Sequence, residues 1–162
     1  MVVNDKKRYG YMDRSGNQVI PIKYKEAKSF KEGLAAVKNE NNRWGYLDKN
    51  GQVAVPFRFT LAESFEKGFA VVKDERGRYG CIDRSGKVVI PFNYKFIRSF
   101  SEGLAAVSNE YDWWGYIDKS GKVAIPLEYQ HAWDFSKGQA SVKLKGKWCL
   151  IDKKGNVISS NK

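Results

Sequence analysis

Five aspartates recur along this sequence, Asp13, Asp48, Asp83, Asp118 and Asp152, each three residues ahead of a glycine, Gly16, Gly51, Gly86, Gly121 and Gly155. A row of carboxylates at fixed spacing is what some repeated β proteins use to hold calcium, a cation that takes several oxygen ligands. No further oxygen donors travel with these aspartates. Asp at the first position of a type I turn already has a task, accepting hydrogen bonds from backbone N–H groups two residues on. The row therefore reads as turn chemistry, with no metal. Catalysis has little more to stand on. His131 is the only histidine, no Ser or Cys stands beside a base in a nucleophile motif, and there is no Gly-Lys-Ser phosphate loop. Asp74 and Glu75 lie between Lys73 and Arg76, a solvated loop rather than the desolvated setting a glycoside-cleaving pair requires. Cys81 and Cys149 read as buried free thiols, because they are out of register with each other and form no disulfide framework. The expectation is no enzyme and no cofactor.

The elements that carry these residues are copies of one unit. An aromatic-Gly pair recurs at Tyr9-Gly10, Trp44-Gly45, Tyr79-Gly80 and Trp114-Gly115, three steps of 35 residues, and again as Trp148-Cys149 after a step of 34. Pro21, Pro56, Pro91 and Pro126 keep the spacing, as do Phe30, Phe65, Phe100 and Phe135. Registered self-similarity of this kind marks a repeat array. Each copy predicts three short strands, A, B and C, at residues 104–107, 114–117 and 122–125 in the fourth copy. Asp118 to Gly121 suits a type I turn closed by a left-handed glycine. Pro126, which cannot donate to a ladder, is expected to end strand C. The connector 126–138 carries Tyr129, Ala132 and Phe135 at a spacing of three, which predicts one or two helical turns. Met1-Val2-Val3 reads as a truncated first strand A. Val157-Ile158-Ser159-Ser160 gives the last copy the polar edge that an array needs for solubility. Copies one and three match each other better than neighbours do, as if a two-copy unit had been duplicated.

The fold expectation is a single all-β domain over residues 1–162. Its five three-stranded antiparallel units lie at about 1–33, 34–68, 69–103, 104–138 and 139–162, stacked as an open, gently curved β-solenoid. A closed five-bladed propeller is the alternative, disfavoured because propeller blades usually have four strands.

The words RYGYMDRSGNQVIP, RWGYLDKNGQVAVP, RYGCIDRSGKVVIP and WWGYIDKSGKVAIP, each followed by a Tyr or Phe, an SFxEG-like segment and an LAAV-like strand, resemble WG repeats. The resemblance covers nearly the whole chain, and the last copy departs from it with Trp148-Cys149 and no proline. It implies a bacterial β-repeat protein, often part of a multidomain chain, and brings no catalytic residue.

Recurrent residues read first as architecture. Trp44 and Tyr46, or Trp114 and Tyr116, alternate with Gly45 or Gly115, so the rings share one face. That face could stack sugars or bases, but large aromatics mostly build cores. Trp44, Gly45, Asp48, Gly51, Trp114, Gly115, Asp118, Gly121, Trp148 and Asp152 are therefore assigned to the frame. Departures from the repeat carry more functional information. In copy four Tyr111 and Trp113 stand where copy two has Asn41 and Arg43. His131 stands where Glu26 does, and Trp133 where Lys28, Glu63 and Arg98 do. Charged positions face solvent, so these four residues form the expected contact region for a protein or glycan. A net charge of +11 supports the alternative of a polyanion, nucleic acid or anionic cell-surface polymer. Most basic residues are scattered among acidic neighbours, however, as a solvated surface would have them, and the denser runs are terminal, at Lys6-Lys7-Arg8 and at Lys143-Leu144-Lys145-Gly146-Lys147 with Lys153-Lys154. No export signal and no apolar run long enough to span a bilayer are present, so neither membrane insertion nor a particular compartment is expected. The chain reads as a monomer.

Overall fold

The computed structural model describes residues 1–160. The chain is all-β, with no helix among these residues. Five antiparallel sheets follow one another, one per copy. The first holds β1 (Val2–Val3), β2 (Tyr9–Met12) and β3 (Gln18–Tyr24). The second holds β4 (Glu26–Ala27), β5 (Leu34–Lys38), β6 (Trp44–Asp48) and β7 (Val53–Phe59). The third holds β8 (Leu61–Ala62), β9 (Phe69–Lys73), β10 (Tyr79–Asp83) and β11 (Val88–Tyr94). The fourth holds β12 (Phe96–Ile97), β13 (Leu104–Ser108), β14 (Trp114–Asp118) and β15 (Val123–Tyr129). The fifth holds β16 (His131–Ala132), β17 (Gln139–Leu144), β18 (Lys147–Asp152) and β19 (Val157–Ser160). Strand order follows chain order in every sheet, and no sheet closes on itself. Two compact units divide the chain, Met1–Val88 and Val89–Lys162. Tyr11, Ile20, Val37 and Leu47 are core residues of the first, and Tyr116, Ile125, Phe135 and Ile151 of the second.

The strands expected as A, B and C are all present, and four of the sheets carry a fourth strand made by the connector. That fourth strand corrects the expected helical turns. Gln130 N donates to Lys143 O, Trp133 N to Ser141 O and Ser136 N to Gln139 O, so the connector spends its donors on the next strand instead of on itself. Tyr129, Ala132 and Phe135 are all buried, but their spacing of three comes from short extended pieces separated by kinks. The connector ends in a two-residue turn, Lys137-Gly138 in the fifth sheet, with both residues left-handed (φ 51° and 77°) as a type I′ hairpin requires. With four strands in four of the five sheets, strand number no longer distinguishes these units from propeller blades.

Pro126 does not end its strand. It lies inside β15, where the register slips: Trp114 pairs with Tyr129 but Tyr116 pairs with Ile125, so Gly115 alone on β14 faces the three residues Pro126, Leu127 and Glu128 on β15. A bulge is where a sheet tolerates a residue without an N–H. The bulge in turn explains the glycine of the aromatic-Gly pair. A Cβ at Gly115 would lie 2.6 Å from both Ile125 O and Pro126 O, and one at Gly45 2.7 Å from Val55 O. In the fifth sheet Cys149 and Leu150 pair directly with Ser160 and Ser159. The loss of the proline and the replacement of glycine by Cys149 are one change.

The aspartates do the turn work expected of them. Asp118 Oδ1 accepts from Ser120 N and Lys122 N at 2.8 and 3.1 Å, and Asp48 and Asp152 do the same for their own turns. Gly51, Gly121 and Gly155 are left-handed at these turns. Hydrogen bonds to the carboxylate, led by Ser120 Oγ at Asp118 and the Asn156 side chain at Asp152, hold both groups below the ordinary carboxylate range. A second series repeats the device in the A–B hairpin, where Asn4, Asn39, Asp74 and Asn109 each accept from the N–H groups two and four residues on. Their 35-residue spacing was visible in the sequence. The last copy replaces this turn with Lys145-Gly146, both left-handed, and one residue fewer accounts for the step of 34.

Candidate binding site

Antiparallel pairing sets side chains in rows across each sheet, because directly opposed residues share a face. In the fourth sheet one row is Phe96, Ser108 and Trp114. The small Ser108 is fully buried, and the flanking rings lie parallel to within 5° at 6.3 Å. In the fifth sheet the equivalent row is His131, Lys143 and Trp148. The His131 ring lies 5.8 Å from Trp148 and 5.4 Å from Trp114. Trp133, two residues on and therefore on the same side, meets His131 at 5.0 Å edge to face. Its own face carries the Arg98 guanidinium, 4.8 Å from the ring centroid, a cation–π geometry. Arg98 Nε also donates to Asp134 Oδ1 at 2.8 Å. His131 thus stands among three tryptophans, and Trp133, Phe96 and Trp148 are 47%, 44% and 38% exposed.

Copy two shows what the same row looks like when it is only structure. There Glu26, Lys38 and Trp44 are opposed, and Lys38 Nζ pairs with Glu26 Oε1 at 2.7 Å. Lys28 and Lys38 lie 5.6 and 5.9 Å from the ring centroid of the buried Trp44, and Lys28 pairs in turn with Glu63. The row is neutralised and closed. In the second unit Phe96 and His131 stand at the place of Glu26, Ser108 and Lys143 at that of Lys38, and Arg98 and Trp133 at that of Lys28.

Two polar side-chain atoms here are buried without a hydrogen-bond partner among the described residues, Ser108 Oγ and His131 Nε2. Leaving a buried donor or acceptor unsatisfied costs about 1–3 kcal/mol, and such exceptions gather where function competes with stability. Both residues flank Trp114, Ser108 in its row and His131 in ring contact. Burial, followed by the charges of Arg98 and Lys143, holds the His131 imidazole below its ordinary value.

Of the four residues expected to form a contact region, the structure brings His131 and Trp133 together. Tyr111 and Trp113 stand on the turn between β13 and β14, where Asn109 Oδ1 holds both backbone N–H groups at 3.0 Å. They are 75% and 43% exposed, and no ring contact reaches either among the described residues. In copy two the position of Trp113 belongs to Arg43, paired with Glu75 at 2.9 Å. Phe96, Arg98 and Ser108 escaped the sequence reading, Lys143 entered it only as part of a terminal basic run, and Trp114 and Trp148 were assigned to the frame alone. One signal was available: the position of Glu26 reads Glu, Leu, Phe, His along the copies, and that of Lys38 reads Lys, Lys, Ser, Lys.

One antiparallel sheet per copy, two Asx-capped hairpins and a proline bulge over a glycine define an all-β tandem-repeat protein. The chain belongs to the family described as WG containing repeat, which matches residues 9–42, 44–76, 79–113 and 114–148. Among solved structures it is similar to the computationally designed Ika8 protein, with a TM-score of 0.53 and 12% identity over 91% of this chain and 53% of that one. BamB from Moraxella catarrhalis gives 0.49 and 11%, over 90% and 52%. The WD40 β-propeller domain of Doa1 gives 0.45 and 13%, over 83% and 52%. The chain spans about half the length of each, and the likeness to Ika8 bears on the fold alone. No curated protein sequence matches it.

Proposed function

We propose that this chain is a non-catalytic binding module that engages a protein or glycan through the ring cluster of its second unit. The observation that supports this reading is the replacement of the closed, ion-paired row of copy two by half-exposed rings around His131. Exposed aromatics grouped around a few polar atoms are the usual anchors of recognition surfaces. The groups that could do chemistry are engaged elsewhere. The aspartates hold turns, and burial pushes the Cys81 thiol up to about 12. Among the described residues, His131 has rings and cations around it rather than a carboxylate that could orient it.

The test is binding of the purified chain to a glycan array, a peptide library and random single- and double-stranded DNA, at roughly 50 and 300 mM salt to vary screening. Binding that persists at the higher salt, even if weakened, and is lost in Trp133→Ala or Trp148→Ala is expected. DNA binding that falls steeply with salt and ignores both changes would replace this reading by the polyanion one, since phosphate contacts release counterions.

A further inference from the structure

Resting on that reading, we propose that the cluster's ligand is an acidic glycan, a sugar chain bearing carboxylates, with Lys143 pairing its charge and Trp148 and Trp133 carrying its rings.

The charge argument comes from comparing equivalent rows. Lys38 faces Glu26 and is neutralised by it at 2.7 Å. Lys143 occupies the same place but faces His131, and it makes no ion pair with a described residue. The nearby Arg98 is already committed to Asp134. Asp134 is thus spent, and Lys143 stands half-buried beside Trp148 without the carboxylate its counterpart has. A ligand carboxylate would restore the missing half of that pair as a charge-assisted hydrogen bond.

The ring argument comes from the face beyond Trp148. Ser141 lies two residues before Lys143 and Leu150 two residues after Trp148, and Ser159 is opposed to Leu150, so all of them share the face of the ring cluster. There they line, with Trp148 and Cys149, a depression of about 200 Å3, a volume suited to a single sugar ring. In the fourth sheet Ala106 and Tyr116 hold the corresponding places and are buried in the core. There they share a cluster with Val142, Cys149 and Ile151 of the fifth sheet, whereas no described sheet covers the corresponding face of the fifth. A pyranose offers an apolar C–H face for the indole and hydroxyls for Ser141 and Ser159, which line the depression. An aliphatic protein side chain would offer those serines no partner.

Calorimetric titration of the intact chain tests this with three probes: short oligogalacturonate, its methyl ester, and a poly-glutamate peptide of equal charge. The acid should bind, with the ester and the peptide each at least about tenfold weaker. Lys143→Gln should abolish the acid–ester difference, and so should His131→Glu, which recreates the Glu26–Lys38 arrangement. Trp148→Ala should lose both sugars, and circular dichroism melts check that each variant folds. Equal affinity for acid and ester, equal affinity for poly-glutamate, no binding of the acid, or an acid–ester ratio unchanged by Lys143→Gln would overturn the proposal. Binding of a neutral glycan or a protein that is lost in Trp133→Ala would overturn it while leaving the binding-module reading intact. No Trp-sensitive binding to any array would remove both.

Discussion

Gly115→Ala tests whether the proline bulge is what the aromatic-Gly pair exists to accommodate. The added Cβ would sit 2.6 Å from the carbonyl oxygens of Ile125 and Pro126 and 2.7 Å from Pro126 C, whereas ordinary contact begins at 3.4 Å. All three are backbone atoms, so no flexible side chain can move aside. Either β14 or the bulge of β15 must shift by something on the order of 0.8 Å, a distance at which packing is strongly penalised. The shift would draw the buried Ile125 away from Tyr116 and Ile151 and strain the β14–β15 ladder. Overpacking of this kind costs about 1–3 kcal/mol, and each weakened backbone bond adds about 1 kcal/mol, so the expected loss is about 2–4 kcal/mol. Urea unfolding followed by tryptophan fluorescence reads it, alongside Cys149→Ala as the comparison. The latter keeps a Cβ at the same repeat position, where the pairing is direct, and should cost less than about 1.5 kcal/mol, as small core trims do. A loss below 0.5 kcal/mol for Gly115→Ala would refute the account of the glycine.

Three further expectations follow from the geometry. Tyr116→Phe removes the hydroxyl that donates to Trp133 O at 2.7 Å but keeps the ring 4.8 Å from Phe135, so a loss of about 1–2 kcal/mol in chemical denaturation is expected, and no loss would show that the bond contributes nothing. Asp13, Asp83, Asp118 and Asp152 are held below their ordinary values, chiefly by hydrogen bonds from Asn17, Ser85, Ser120 and Asn156 respectively. Their contribution to stability is therefore complete above pH ~4 and lost as pH falls through the lowered values. Acid melts of Asp118→Asn should show a shallower decline than the parent, and an identical decline would count against the turn role. The Cys81 thiol, fully buried and pushed up to about 12, should stay unlabelled by a thiol reagent at pH 8 until the chain unfolds, so labelling of the native state at the rate of a free thiol would contradict its burial.

The repeat, its strand order and both features of the Asp-Gly turn were legible in the sequence because each is local. A type I turn needs an acceptor at its first position and a left-handed residue three on, and only a few residue types supply either. The family resemblance was legible for the same reason, since four copies restate these local requirements in register. Tertiary structure alone decided the connector and the site. Tyr129, Ala132 and Phe135 have a helical spacing, yet their backbone bonds go to the following strand. Spacing along a chain does not say which donor will find which acceptor. The ring cluster was hidden for a related reason. Phe96, Trp114, His131 and Trp148 lie far apart in the sequence and meet through the rows of two sheets. Lys143 gains its significance only from the carboxylate that Lys38 has and it lacks. Local rules specify each copy of the unit, but the differences between copies acquire a meaning when pairing and packing set them side by side.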